Sequence, residues 1–96
     1  MYSVLKGVLD YKMPINKDWL IKNGLNPSNY NSIKDFMDAY LSLIRGQLKE
    51  CTKAKFIEIR EEIGLDELEF GLFDNYEIGF HVDIGPLRSI YSEMSS

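Results

Sequence analysis

Between Leu68 and Gly85 the chain reads LEFGLFDNYEIGFHVDIG, with Glu67 one position ahead. From Tyr76 onward its odd positions are Glu77, Gly79, His81 and Asp83, and its even positions are Tyr76, Ile78, Phe80, Val82 and Ile84. In a strand, successive side chains point to opposite faces, so this alternation separates an acidic face from an apolar one. His81 near Asp83 and Glu67 has the makings of a proton shuttle. It is also the only histidine, which removes histidine-based metal clusters and a serine–histidine–aspartate arrangement with one to spare. Glu67, Glu69, Glu77 and Asp83 are hard-cation ligands by type, but same-face strand positions lie about 7 Å apart, too far to share one ion unaided. Cys51 lies near the end of an apolar helical stripe, where a cysteine is more a small hydrophobe than a nucleophile. With no phosphate loop and no nucleophile–base pair, the expectation is no catalytic residue, no metal and no cofactor.

What the acidic face can do is bind. Glu67, Glu69, Phe73, Asp74, Glu77, His81 and Asp83 are the expected partner-binding residues, with Phe73 as an aromatic anchor. Charge is divided along the chain. Residues 1–60 hold ten Lys/Arg and six acids, whereas residues 61–96 hold Arg88 against nine acids. No Lys or Arg occurs from Glu61 to Leu87. Two plainer readings compete. A solvated strand face carries charge to discourage edge aggregation, and Lys49, Lys53, Lys55 and Arg60 are available to neutralise the carboxylates from within.

Elements must position these groups. The stretch NKDWLIKNGLNP, from Asn16, reads as a short helix with Asn16 as its cap, Asp18 in the first turn, and a left-handed stop at Gly24 that folds Leu25 back on Leu20. Ser32 to Asp35 resembles a capping box. It opens a helix whose apolar stripe is Ile33, Phe36, Met37, Tyr40, Leu41, Ile44 and Leu48. Phe56, Ile59 and Ile63 continue helical spacing, favouring a second helix from about Thr52 to Ile63, ended by Gly64 and Leu65. One helix from Ile33 to Ile63 is the alternative. Tyr2 to Asp10 reads either as a helix, through Val4, Leu5, Val8 and Leu9, or as a strand.

Leu68–Ile84 is expected to form an antiparallel hairpin around Phe73-Asp74-Asn75, pairing Leu72 with Tyr76, Phe70 with Ile78 and Leu68 with Phe80. That register would set Glu77 opposite Gly71 and Glu69 opposite Gly79, a flat acidic platform. Pro86 would end the second strand, and Leu87, Ile90 and Tyr91 suggest one or two helical turns before a frayed tail. A hairpin alone is marginal in water, and the N-terminal segment is the nearest source of a third strand. The expected fold class is α+β: two to four helices on a small antiparallel sheet containing a C-terminal β-hairpin (about 68–84), with residues 1–96 as a single compact domain.

The opening MYSVLKGVLD places Lys6 inside its apolar stretch and reaches Asp10 too soon for a signal peptide, and no apolar run is long enough to span a bilayer. One cysteine excludes an internal disulfide. A cytoplasmic protein is expected, with no membrane, no direct nucleic acid and a monomeric or weakly dimeric state. In size, charge and fold class the chain is similar to small bacterial immunity proteins and antitoxins. That similarity implies an inhibitor docking on a basic protein such as a nucleic-acid-cleaving toxin. The alternative is a structural or adaptor subunit acting through a sheet edge or apolar self-association.

Overall fold

The computed structural model describes residues 7–95. In chain order the elements are strand β1 (Val8–Lys12), helix α1 (Lys17–Lys22), a 3-10 turn (Pro27–Asn29), helices α2 (Ile33–Glu50) and α3 (Lys53–Ile63), a second 3-10 turn (Leu72–Asp74), strand β2 (Glu77–His81) and helix α4 (Ile84–Ser95). The fold is α+β, with four helices and a two-stranded sheet among the described residues.

Local signals account for the helices. Asn16 Oδ1 accepts the Trp19 N–H at 3.1 Å, and its amide donates to the Glu62 carbonyl at 2.8 Å, tying the start of α1 to the end of α3. Gly24 adopts φ +75°, the left-handed conformation that glycine enters without steric cost. It turns the chain so that the Leu25 N–H donates to the Leu20 carbonyl at 2.9 Å. Both leucines are buried there. Ser32 caps α2 through the Asp35 N–H at 3.2 Å. Along α2 the fully buried positions are Phe36, Tyr40, Ile44 and Leu48, steps of four that keep one face inward. The stretch from Ile33 to Ile63 is two helices. The chain is extended at Cys51, and the Thr52 hydroxyl restarts helix by accepting the Lys55 N–H at 3.2 Å.

The helical faces meet in one core of Met13, Trp19, Leu20, Phe36, Tyr40, Ile44, Leu48, Phe56, Ile59, Ile63, Leu68, Leu87 and their neighbours. Burying each large apolar side chain contributes about 1.5–3 kcal/mol against the cost of ordering the chain. The Trp19 and Tyr40 rings meet edge-on at 5.6 Å, and Phe36 meets Tyr91 of α4 at 5.5 Å. The Tyr40 hydroxyl donates to the Pro14 carbonyl at 2.6 Å, pinning the segment after β1 to the centre of α2.

The sheet corrects the expected hairpin. β2 pairs with β1, in parallel, in the register Val8 with Glu77, Leu9 with Ile78, Asp10 with Gly79, Tyr11 with Phe80, and Lys12 with His81. Of the N-terminal alternatives the strand is the one formed; Val4 and Leu5 lie outside the described residues. Residues 68–76 form no first hairpin arm, for two physical reasons. Gly71, at φ +94°, turns the chain and opens the Leu72–Asp74 turn, in which the Tyr76 N–H donates to the Leu72 carbonyl at 2.9 Å. Leu68 is drawn wholly into the helical core, and Arg60 Nη1 donates to its carbonyl at 3.0 Å. The C-terminal end also differs. β2 stops at His81, Ile84 begins α4 rather than ending a strand, and the expected frayed tail is helical to Ser95. Pro86 sits in the first turn of α4, where its missing N–H has no partner to lose.

Candidate functional site

The acidic side chains come from three places. The first is the segment after α3. Leu65 and Leu68 are buried while Asp66, Glu67 and Glu69 are exposed, so the two leucines pin this stretch and turn the carboxylates outward. Glu67 and Glu69 stand near Tyr11 of β1. Its phenol is held above the ordinary tyrosine value, first by partial burial, then by the charges of Glu67 and Glu69 and by Tyr76. Tyr11, Lys12 and Pro14 on one side and Gly64, Leu65, Asp66 and Glu67 on the other bound a cleft of about 330 Å3.

The second place is the outward face of the sheet. The parallel register sets Val8, Asp10 and Lys12 beside Glu77, Gly79 and His81, all but Gly79 exposed, while Leu9, Tyr11, Ile78 and Phe80 turn the other way. Val8, not Gly71, is the neighbour of Glu77, and Asp10, not Glu69, is the neighbour of Gly79. Nor is the face bare of bulk at Gly79. A β-carbon there would lie 2.5 Å from Asp10 Oδ1, so the glycine makes room for a further carboxylate. Asp83, just beyond β2, is bridged to Lys12 at 2.7 Å.

The third place is the turn before β2. Asp74 is exposed, whereas Phe73 is half-buried with its ring 6.2 Å from Phe80. Phe80 is covered further by Tyr11 at 6.4 Å and by the Arg45 guanidinium of α2, 5.3 Å from its ring centre. Phe73 therefore belongs to an aromatic layer under the sheet rather than projecting as a free anchor.

None of the four cations available to neutralise the face from within pairs with a carboxylate of residues 61–96 among the described residues. Lys55 pairs with Glu58 at 3.3 Å on its own helix, and Arg60 spends a guanidinium N–H on the Leu68 carbonyl. Lys49 and Lys53 meet no carboxylate among the described residues. The neutralising contacts come from the N-terminal third, as Lys12–Asp83, Lys17–Glu93 and Lys22–Glu62. Asp10, Asp66, Glu67, Glu69, Asp74 and Glu77 have no ion-pair partner among the described residues.

The remaining chemistry is sparse. Cys51 is half-buried at the α2–α3 junction with its Sγ donating to the Leu48 carbonyl at 3.4 Å, and His81 lies exposed on the sheet. Among the described residues no three His, Cys, Asp or Glu side chains converge as metal ligands, and no helix is long and apolar enough to cross a membrane. Asp10 and Tyr11 are the site residues that the hairpin reading missed. Their signal was the alternation of Val8-Leu9-Asp10-Tyr11-Lys12, apolar or aromatic at odd positions and mostly charged at even ones. No protein-family model, curated protein or solved structure matches the chain.

Proposed function

We propose that the protein is a small cytoplasmic binding protein that docks its acidic surface on a basic protein. Within that class we propose an inhibitor of the immunity-protein or antitoxin kind, acting on a nucleic-acid-cleaving toxin rather than on nucleic acid itself. The observation that carries the reading is the set of carboxylates without internal cations: Glu67 and Glu69 beside Tyr11, Asp74, and Asp10 with Glu77 on the outward sheet face. They belong mostly to a stretch, Glu61 to Leu87, that contains no Lys or Arg. Carboxylates without internal cations raise the local negative potential, and a cationic partner relieves it. Such complementarity accelerates encounter and fixes orientation more than it adds raw affinity. A toxin's nucleic-acid cleft is a basic surface of the right sign, and a compact acidic domain placed over it would exclude the substrate.

The test is capture of the native partner from the cell of origin by the wild-type chain and by a Glu67→Lys, Glu69→Lys, Glu77→Lys variant. Asp83 is left out because Lys12 already neutralises it. A partner that is basic, released by moderate salt and lost on charge reversal supports the reading. A partner indifferent to all three substitutions sinks it.

A further inference from the structure

The parallel register determines where the unpaired backbone lies. The Glu77 N–H donates to the Gly7 carbonyl at 2.9 Å and the Met13 N–H to the His81 carbonyl at 2.7 Å. In a parallel ladder of this register, residues 7, 9, 11 and 13 bond to residues 77, 79 and 81. The N–H and C=O groups of Val8, Asp10 and Lys12 therefore point away from β2, and among the described residues no other strand pairs with β1. The far edge of β2 differs, because Ile78 there is buried. Val8 is 62% exposed and Asp10 and Lys12 are exposed, so among the described residues β1 carries the open edge. Parallel sheets are normally covered on both faces and rarely stop at two strands. The acid-rimmed cleft of about 330 Å3 adjoins this strand and takes no lining residue from β2.

We propose that the open edge of β1 takes up an extended segment of a basic partner as a third strand. Main-chain bonds form to Val8, Asp10 and Lys12, and alternate Lys or Arg side chains enter the cleft beside Tyr11 to meet Asp66, Glu67 and Glu69. The occupant is argued from charge. An added strand lies about 4.8 Å from β1, so every second side chain falls on the Tyr11 face, next to carboxylates that have no cation of their own. The intervening side chains fall on the face of Val8, Asp10 and Lys12, where the exposed Val8 favours an apolar residue beside it. This gives the mode of docking for the acidic-surface reading and rests on it.

The experiment uses the full chain and three labelled hexapeptides. One alternates lysine and valine, a second is the same peptide N-methylated on the amides that would face β1, and the third has glutamate for lysine. Anisotropy measures binding, and amide hydrogen exchange by NMR follows Val8, Asp10 and Lys12. The lysine peptide is expected to slow exchange at those three amides. N-methylation should weaken binding roughly tenfold or more, since each methylated amide loses its hydrogen bond to β1. The Glu67→Gln, Glu69→Gln variant should weaken the lysine peptide, and the glutamate peptide should not bind. Equal binding of the methylated peptide overturns edge addition while leaving the acidic reading intact. Equal binding of the glutamate peptide overturns both. Failure of the lysine peptide overturns edge addition, and the charge-reversed capture then judges the acidic reading separately. Protection that grows with protein concentration in the absence of peptide assigns the edge to a second copy and overturns the proposal.

Discussion

Asp10 lies across Gly79, its Oδ1 only 2.5 Å from where a β-carbon on that residue would stand. The obstructing atom is the tip of an exposed side chain, so it can swing away. Gly79→Ala is therefore expected to change stability by less than about 1 kcal/mol, the displaced carboxylate being offset by the strand preference that glycine lacks. Urea unfolding of the two chains decides this. A loss above about 2 kcal/mol would mean that Asp10 is held in place.

Tyr40 supplies a pH prediction. Burial pushes its phenol well above the ordinary tyrosine value of 10.0. In the unfolded chain it ionises near that value, while in the folded chain it stays protonated and bonded to the Pro14 carbonyl. The contribution is fully present below pH 10 and is lost as pH climbs from there through the raised folded value. Tyr40→Phe should cost about 1 kcal/mol at neutral pH through the lost hydrogen bond, and its unfolding free energy should fall less steeply above pH 10. Parallel wild-type and mutant slopes in alkaline denaturation would refute the assignment.

Two glycines should respond oppositely to alanine. Gly46 sits inside α2 with nothing within 4 Å of an added β-carbon, so Gly46→Ala should stabilise by up to about 1 kcal/mol through helix propensity. Gly71 has φ +94°, and Gly71→Ala should destabilise by about 1–2 kcal/mol, because a β-carbon is strained there although space is free. Thermal unfolding midpoints moving in opposite directions would confirm both.

Lys12 and Asp83 form an exposed pair, with side chains 61% and 55% accessible. Such pairs contribute little, so Lys12→Gln should leave stability within about 1 kcal/mol. The same change frees Asp83 and adds to the negative field. Association with a lysine-rich peptide should become faster at low salt, with the difference vanishing near molar ionic strength. A slower association would count against the acidic-surface reading.

Helices α1, α2 and α3 were legible because their signals are local. Asn16, Ser32, Gly24 and Gly64 act within a few residues of themselves, and the α2 stripe repeats at its own period. The outward positions of Glu77 and His81 were legible too, because a strand alternates whatever its partner. The identity of that partner was not. Leu68, Phe70 and Leu72 match β2 as well as Leu9 and Tyr11 do in apolar content. Gly71 and the pull of Leu68 into the helical core decide between them, and the second depends on tertiary packing. With the hairpin misplaced, Asp10 and Tyr11 stayed outside the expected site, and Lys12, which neutralises Asp83, was not among the cations weighed against the acidic face.

The parallel pairing of Val8 with Glu77 has a consequence for biosynthesis. A ribosome releases the first strand long before the second exists. At roughly 5–20 residues per second, the intervening stretch takes several seconds to make. During that interval Leu9 and Tyr11 have no sheet to join, and α1, α2 and α3 can form and dock first. The sheet therefore closes only after α1, α2 and α3 have been made, and β1 stays without its partner strand until then.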